Sequence, residues 1–190
     1  MNVVAFCGSG RREGNTILLL QAVLKPLTAA GVETELVELA GQEIRGCMSC
    51  FVCSLEKNRM CVLKKDIVND CIARMAAADA VLLGSPAYVA DVSSEMKALI
   101  DRSAMVGKAN GDMYRRKLGA AVVAARRSGA IHAFDTMNHF FLSSQMIVVG
   151  SNSWNIGHGP EKGEVIDDEE GMKTMRILGE NLLWLLEKLG

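Results

Sequence analysis

The sequence carries no excess of either charge. Lys and Arg number 21 against 22 Asp and Glu, so there is no basic field to grip a phosphate backbone, and nucleic acid is not an expected partner. No apolar run is long enough to span a bilayer, so no membrane association is expected. The opening residues Met1-Asn2-Val3-Val4-Ala5-Phe6 lack the basic start and long apolar stretch of a signal peptide. Together these absences predict a cytoplasmic protein whose thiols stay reduced. Repeats, low-complexity segments and linkers are also missing. With 49% hydrophobic and 23% charged residues the composition excludes intrinsic disorder, and 190 residues are enough for one domain, 1–190, whose core needs no disulfides.

What is present is an alternation of strand-like and helix-like segments. Residues 3–7, 80–83, 118–125 and 146–149 are apolar throughout, as strands buried on both faces should be, whereas residues 33–39 alternate and suit an edge. Helical stripes lie between them. One opens at Asn15 or Thr16, a second covers 67–78, and a third is capped by Ser93 or Ser94. A fourth covers 130–143, and the last runs over 172–189 behind the acidic start 167–170. Residues 155–171, rich in glycine and acid, read as a surface loop. This order implies an α/β fold with a doubly wound, five-stranded parallel sheet in the order 2-1-3-4-5. In such sheets ligands bind beyond the carboxyl ends of the strands, so the loops after the first, third and fourth strands are the places to look.

The first of these loops, Gly8-Ser9-Gly10-Arg11-Arg12-Glu13-Gly14-Asn15-Thr16, suits a phosphate cradle. Its glycines free backbone N–H groups, the following helix adds a positive dipole end, and Arg11 adds charge. It is neither a Walker loop nor a Gly-x-Gly-x-x-Gly turn, and a polar cap on the helix is the plainer alternative. The second loop sets Pro86 and Tyr88 at the switch point, where a flat ligand could lie against the ring or the ring could simply pack on a helix. The third, Ala125-Arg126-Arg127-Ser128-Gly129, offers backbone donors and cations that could equally be solvated.

The six cysteines are unevenly spread. Cys47, Cys50, Cys53 and Cys61 crowd one segment at 45–65, while Cys7 and Cys71 read as small buried hydrophobes. In a reducing compartment such a cluster points to metal or redox chemistry. His132, His139 and His158 have no metal-ligand spacing. Trp154 and His158 could cover a ligand or belong to a surface loop.

The motifs Gly8-Ser9-x-Arg11-x-x-Gly14-Asn15-Thr16, Gly84-Ser85-Pro86-x-Tyr88 and Met96-Lys97-x-x-x-Asp101-Arg102 resemble the NADPH-dependent FMN reductase branch of the flavodoxin-like superfamily. The resemblance implies FMN as cofactor. Ser9, Arg11, Asn15 and Thr16, with Gly14, would hold its phosphate. Pro86, Ala87, Tyr88 and Val89 would flank the isoalloxazine ring, and the loop with Ala125, Arg126 and Gly129 would touch its other end. Two departures stand out. Asp91 sits where a small residue is common, and Ala124-Ala125-Arg126-Arg127 replaces a glycine-rich stretch.

The spacing Cys47-x-x-Cys50-x-x-Cys53-x7-Cys61 resembles the compact motif of the iron–sulfur flavoproteins. The resemblance implies a [4Fe–4S] cluster on these four cysteines. Redox-active or free thiols are the alternative, and zinc fits the spacing less well. The implied activity is that of an FMN-dependent oxidoreductase fed by NAD(P)H or by a ferredoxin-like donor. The flavin does the chemistry, so no catalytic side chain is expected. The alternatives are an electron-transfer module that turns over no small substrate, and a phosphate-sensing domain without flavin. A homodimer or homotetramer would close the open side of the flavin, with Phe51 and Val52 at the interface.

Overall fold

A computed structural model describes residues 1–189 as a parallel sheet wrapped by helices on both faces. The strands β1 (Asn2–Cys7), β2 (Glu33–Glu38), β3 (Ala80–Pro86), β4 (Leu118–Ala125) and β5 (Ile147–Val148) lie in the order β2-β1-β3-β4-β5. This is the doubly wound, flavodoxin-like arrangement expected from the alternation of segments. Every pairing is parallel, with Val4 set between Glu35 of β2 and Val81 of β3. β2 lies at an edge, and its alternating exposure follows its alternating sequence.

Alternate residues of each central strand supply two separate cores. Val3, Ala5, Cys7, Leu82 and Val122 face α1 (Asn15–Ala29) and α6 (Glu169–Leu189). Val4, Phe6, Leu83, Ala121 and Val123 face α3 (Val68–Ala77), α4 (Ser94–Ala109) and α5 (Ala130–Ser143). Leu19, Leu20, Leu82 and Leu83 are fully buried, each contributing roughly 1.5–3 kcal/mol of transfer free energy. Ser93, not Ser94, caps α4, its hydroxyl accepting from the Met96 N–H at 3.2 Å. A further short helix, α2 (Val52–Glu56), lies inside the cysteine-rich segment. Among the described residues no helix is long and apolar enough to cross a membrane.

The fifth strand departs from expectation. Only Ile147 and Val148 pair with β4, opposite Leu118 and Gly119, and both are exposed because they form the sheet's edge. The chain then leaves the sheet and returns as β6 (Ile156–His158), parallel to the last residues of β4, Val123 to Ala125. The stretch 155–171 is therefore not a surface loop. Asn155 is buried, donating through Nδ2 to the Ala121 carbonyl at 3.0 Å and accepting at its own carbonyl from the Val123 N–H at 2.9 Å. A single 3-10 turn, Glu164–Asp167, leads into α6. Asp168 caps that helix, accepting from Gly171 N–H at 3.0 Å, with Glu169 and Glu170 in the favourable first turn.

α1 and α6 approach closely at Gly179, where a Cβ would sit 2.2 Å from the Val23 carbonyl oxygen and 2.5 Å from Pro26. Gly179→Ala would gain about 1 kcal/mol of helix propensity. It would also force apart two backbones that cannot yield, at a cost of about 1–3 kcal/mol or more. Net destabilisation is expected, read as a fall in the thermal midpoint by calorimetry; an unchanged or higher midpoint would show that the helices separate freely.

Candidate functional site

The loops that leave β1, β3 and β4 meet around a cavity of about 380 Å³ at the carboxyl end of the sheet. It is bordered by Ser9, Arg11, Gly14, Asn15, Thr16, Pro86, Ala87, Tyr88, Ala125 and Arg126, ten of the residues expected to bind a cofactor. Gly159, Pro160, Glu161 and Lys162, which follow β6, complete the wall together with Ala124. A larger depression of about 990 Å³ lies between α1 and α6, and none of the expected site residues borders it.

The first loop gathers free N–H groups, hydroxyls and positive charge. Gly14 caps α1 and its carbonyl accepts from the Ile17 N–H at 3.1 Å, which leaves the N–H groups of Asn15 and Thr16 at the free positive end of the helix. Ser9 is nearly buried and its Oγ is fixed against Arg11, accepting from Arg11 N–H at 3.1 Å. Thr16 is also buried. Arg11, Arg126 and Lys162 border the cavity with Glu161, and Lys162 is paired with Glu13 at 3.5 Å.

Asn15 has a task beyond the expected one. Its Nδ2 donates to the carbonyls of Gly159 and Glu161, each at 2.9 Å, and its Oδ1 accepts from the Gly163 N–H at 2.7 Å. The side-chain amide clamps the 159–163 segment over the cavity, while the backbone N–H stays at the start of the helix. Gly159 must be small there, because a Cβ would meet the Val165 nitrogen at 2.6 Å and Asn15 Nδ2 at 2.7 Å.

Pro86 and Ala87 continue β3, and Ala87 N–H donates to Ala124 O at 2.9 Å, which joins the second loop to the third. Tyr88 is 46% exposed and borders the cavity. Two of the expected residues do not border the cavity. Val89 turns fully into solvent with a φ of +50°, and Gly129, at a φ of +82°, packs against Ala90 at the head of α5. A tight turn produces this, Tyr88 and Asp91 exchanging backbone hydrogen bonds at 2.8 and 3.0 Å. Asp91 anchors the turn to α5, its Oδ1 accepting from Thr136 Oγ1 at 2.8 Å and from Val92 N–H at 2.7 Å. Burial works to raise this carboxyl, but those hydrogen bonds and the nearby His132 and Lys97 hold it below the ordinary carboxylate range. Trp154 and His158 are exposed and do not border the cavity.

The segment at 45–65 brings Cys47, Cys50, Cys53 and Cys61 to the rim of one small space beside α4, with Phe51, Arg102 and Met105. Among the described residues no three histidine, cysteine or carboxylate groups converge as ligands on a single ion. That argues against a ready tetrahedral zinc site, whereas a cubane takes one thiolate at each of four separate corners. Four cysteines on one rim are the donor type that a [4Fe–4S] cluster takes. The room does not yet suit one, since about 20 Å³ holds roughly one water and the loop would have to open around a cubane. Its backbone is tightly wound, with Ser49, Phe51, Lys57 and Arg59 all at φ between 48° and 63°.

Cys7 and Cys71 are unlike these four. Burial pushes the Cys7 thiol up to about 11 and the Cys71 thiol up to about 12, so both stay protonated and inert near neutrality. In metal-free protein at pH 8, a disulfide reagent is expected to label the four loop cysteines and to reach the other two only after denaturant. Labelling of all six at once in folded protein would contradict this burial. The raised pKa values also make stability pH-dependent. Their contribution is complete below pH 9, the unfolded value, and is lost as pH rises toward 11–12.

The geometry can be set beside known proteins. The sequence profile of the NADPH-dependent FMN reductases matches residues 1–161. An iron-sulfur flavoprotein of Methanocaldococcus jannaschii is 35% identical over 189 residues, covering 96% of this chain and 95% of its own. The iron-sulfur flavoprotein of Methanosarcina thermophila is 29% identical, covering 98% and 96%. Among solved structures, a flavodoxin from the domain Archaea superposes with a TM-score of 0.63 at 15% identity over 98% of this chain and 99% of its own, a likeness of fold alone. The cavity lies where a flavodoxin-like sheet places its ligand, and the matched residues include the loops after β1, β3 and β4: the chain belongs to the NADPH-dependent FMN reductase family and is an FMN-binding flavoprotein.

Proposed function

We propose that the protein is an FMN-dependent oxidoreductase. It accepts electrons either as hydride from NAD(P)H or singly from a ferredoxin-like donor through a [4Fe–4S] cluster on Cys47, Cys50, Cys53 and Cys61. The observation that supports this reading is the cavity itself, bordered both by the start of α1 with its free N–H groups and by the wall of Pro86, Ala87 and Tyr88.

Bound FMN supplies both two-electron and one-electron chemistry, and an iron–sulfur cluster supplies one electron at a time. The chain's own residues bind and orient. The first-turn N–H groups of α1, the Ser9 and Thr16 hydroxyls and Arg11 would hold the phosphate. Ala87, Tyr88 and Ala125 would exclude water from the ring, and Arg126 would set a positive charge at its far edge. Asn15 would hold the 159–163 wall closed.

A second reading, an electron shuttle that turns over no small substrate, is favoured by one feature. Met48, Phe51 and Leu55 stand exposed around the cysteines, as a docking surface for a redox partner would require. Steady-state NAD(P)H oxidation by FMN-loaded protein separates the two, since the oxidoreductase turns over and the shuttle does not. The same exposed residues support a homodimer or homotetramer. Light scattering at micromolar concentration should then report a multiple of 20.5 kDa, and a monomer would remove the argument.

Thr16→Val is expected to weaken FMN binding by about 1–3 kcal/mol, roughly 5- to 150-fold in Kd, as measured by quenching of flavin fluorescence. An unchanged affinity would take Thr16 out of the phosphate site. After anaerobic reconstitution the wild type should hold about four irons and four sulfides per chain, lost in Cys50→Ser while FMN stays bound. Wild-type protein free of iron would leave the cysteines as thiols.

A further inference from the structure

The largest fully buried polar side chain in the protein is Arg102, on α4, with an exposed fraction of 1%. Removing an ion from water costs several kcal/mol unless it is paired and hydrogen-bonded, and even a well-paired buried ion is seldom a net stabiliser. Such a charge in a small domain calls for a reason. Its pairing is good at one end. Asp66, itself buried, accepts from Arg102 Nη1 at 2.5 Å, and the pair holds the Asp66 carboxyl low against the effect of burial.

The remaining contacts are all to the cysteine-rich segment. Arg102 Nη1 donates to the Arg45 carbonyl at 3.1 Å, and Nη2 to the Leu63 carbonyl at 2.8 Å. Arg45 lies just before Cys47 and Leu63 just after Cys61, so one guanidinium ties both ends of the segment together. Asn69 completes the base, accepting from the Cys61 N–H at 2.7 Å and donating to the Cys61 carbonyl at 2.9 Å.

Arg102 Nε–H is left over. It is buried and has no hydrogen-bond partner among the described residues. An unmet buried donor on a charged group costs more than one on a neutral group. Arg102 also borders the space that the four cysteines rim. A simple staple would need only the Nη groups; it would not need a charge with a spare donor at the cysteines.

We propose that Arg102 is the positioning and charge-balancing residue of the four-cysteine site, its Nη groups closing the loop and its Nε–H donating to sulfur once the site is filled. This rests on the cluster reading above. A cubane with four thiolate ligands is anionic, and it becomes more so when it gains one electron from an external one-electron donor, with no bond made or broken. A buried cation and an N–H···S bond favour that reduced state, so they raise the potential at which the electron is taken up.

The test uses full-length, FMN-loaded protein reconstituted anaerobically with iron and sulfide, as wild type, Arg102→Lys and the double variant Arg102→Met with Asp66→Asn. The double change removes both charges and so avoids stranding a buried carboxylate. Flavin content and circular dichroism report the fold, iron per chain reports occupancy, and an electron paramagnetic resonance titration reports the midpoint potential. Wild type should show the highest potential, Lys an intermediate one because it keeps the charge but lacks the Nε–H and fork, and the double variant the lowest. In cluster-free protein, trypsin should cut at Lys57 to Lys65 several-fold faster in the double variant, since its loop base is open. Loss of iron from the double variant with retention in Lys would also support the role. Iron-loaded variants with wild-type potential would overturn it and leave Arg102 as a structural staple. Wild type without iron would instead bring down the cluster reading, and the proposal with it.

Discussion

A single hydrogen bond marks where β1 and β3 part and the site begins. Gly8 N–H donates to the Gly84 carbonyl at 2.7 Å, the last rung between β1 and β3. Beyond it the two chains must part, because β1 leads into α1 on one face of the sheet and β3 leads into α4 on the other. Parallel strands whose connections diverge in this way open a crevice at their carboxyl ends. The cradle, the aromatic wall and the cationic rim are all placed by that fork, and the two sheet faces serve to hold it still.

Polar side chains then fasten the loops that the fork releases. Asp91 joins the loop after β3 to α5 through Thr136, and Asn15 joins the head of α1 to the segment after β6. Arg102 and Asp66 join α4 to the cysteine segment. Each fastening links parts of the chain far apart in sequence.

That is why the fold was more legible than the site. Runs such as Leu118 to Ala125 and stripes such as Leu19 and Leu20 declare their burial through period and composition, and burial decides the layers. The roles of Asn15, Val89 and Gly129 depend on where a loop turns, and nothing local in the sequence specifies that Tyr88 pairs with Asp91. Ile156-Gly157-His158 has a single aliphatic residue and no alternation, too little for a strand signal, so the wall it positions at 159–162 stayed hidden. Asn155 was the available clue, a polar residue whose partners lie on β4. The orphaned Nε of Arg102 was beyond any sequence reading, since it appears only when burial and partners are both known.

The division of the sheet's last strand has a bearing on how the molecule behaves among copies of itself. An unbroken edge running the length of β4 would offer a row of free N–H and C=O groups on which another chain could add a strand. Here that edge is two pairs at one end and three at the other, with a polar excursion between them. An incoming strand finds no continuous register to follow, so the exposed Ile147 and Val148 remain too short a template for open-ended growth. The same detour that carries the chain out to build the cavity wall makes this side of the molecule a poor seed for fibres.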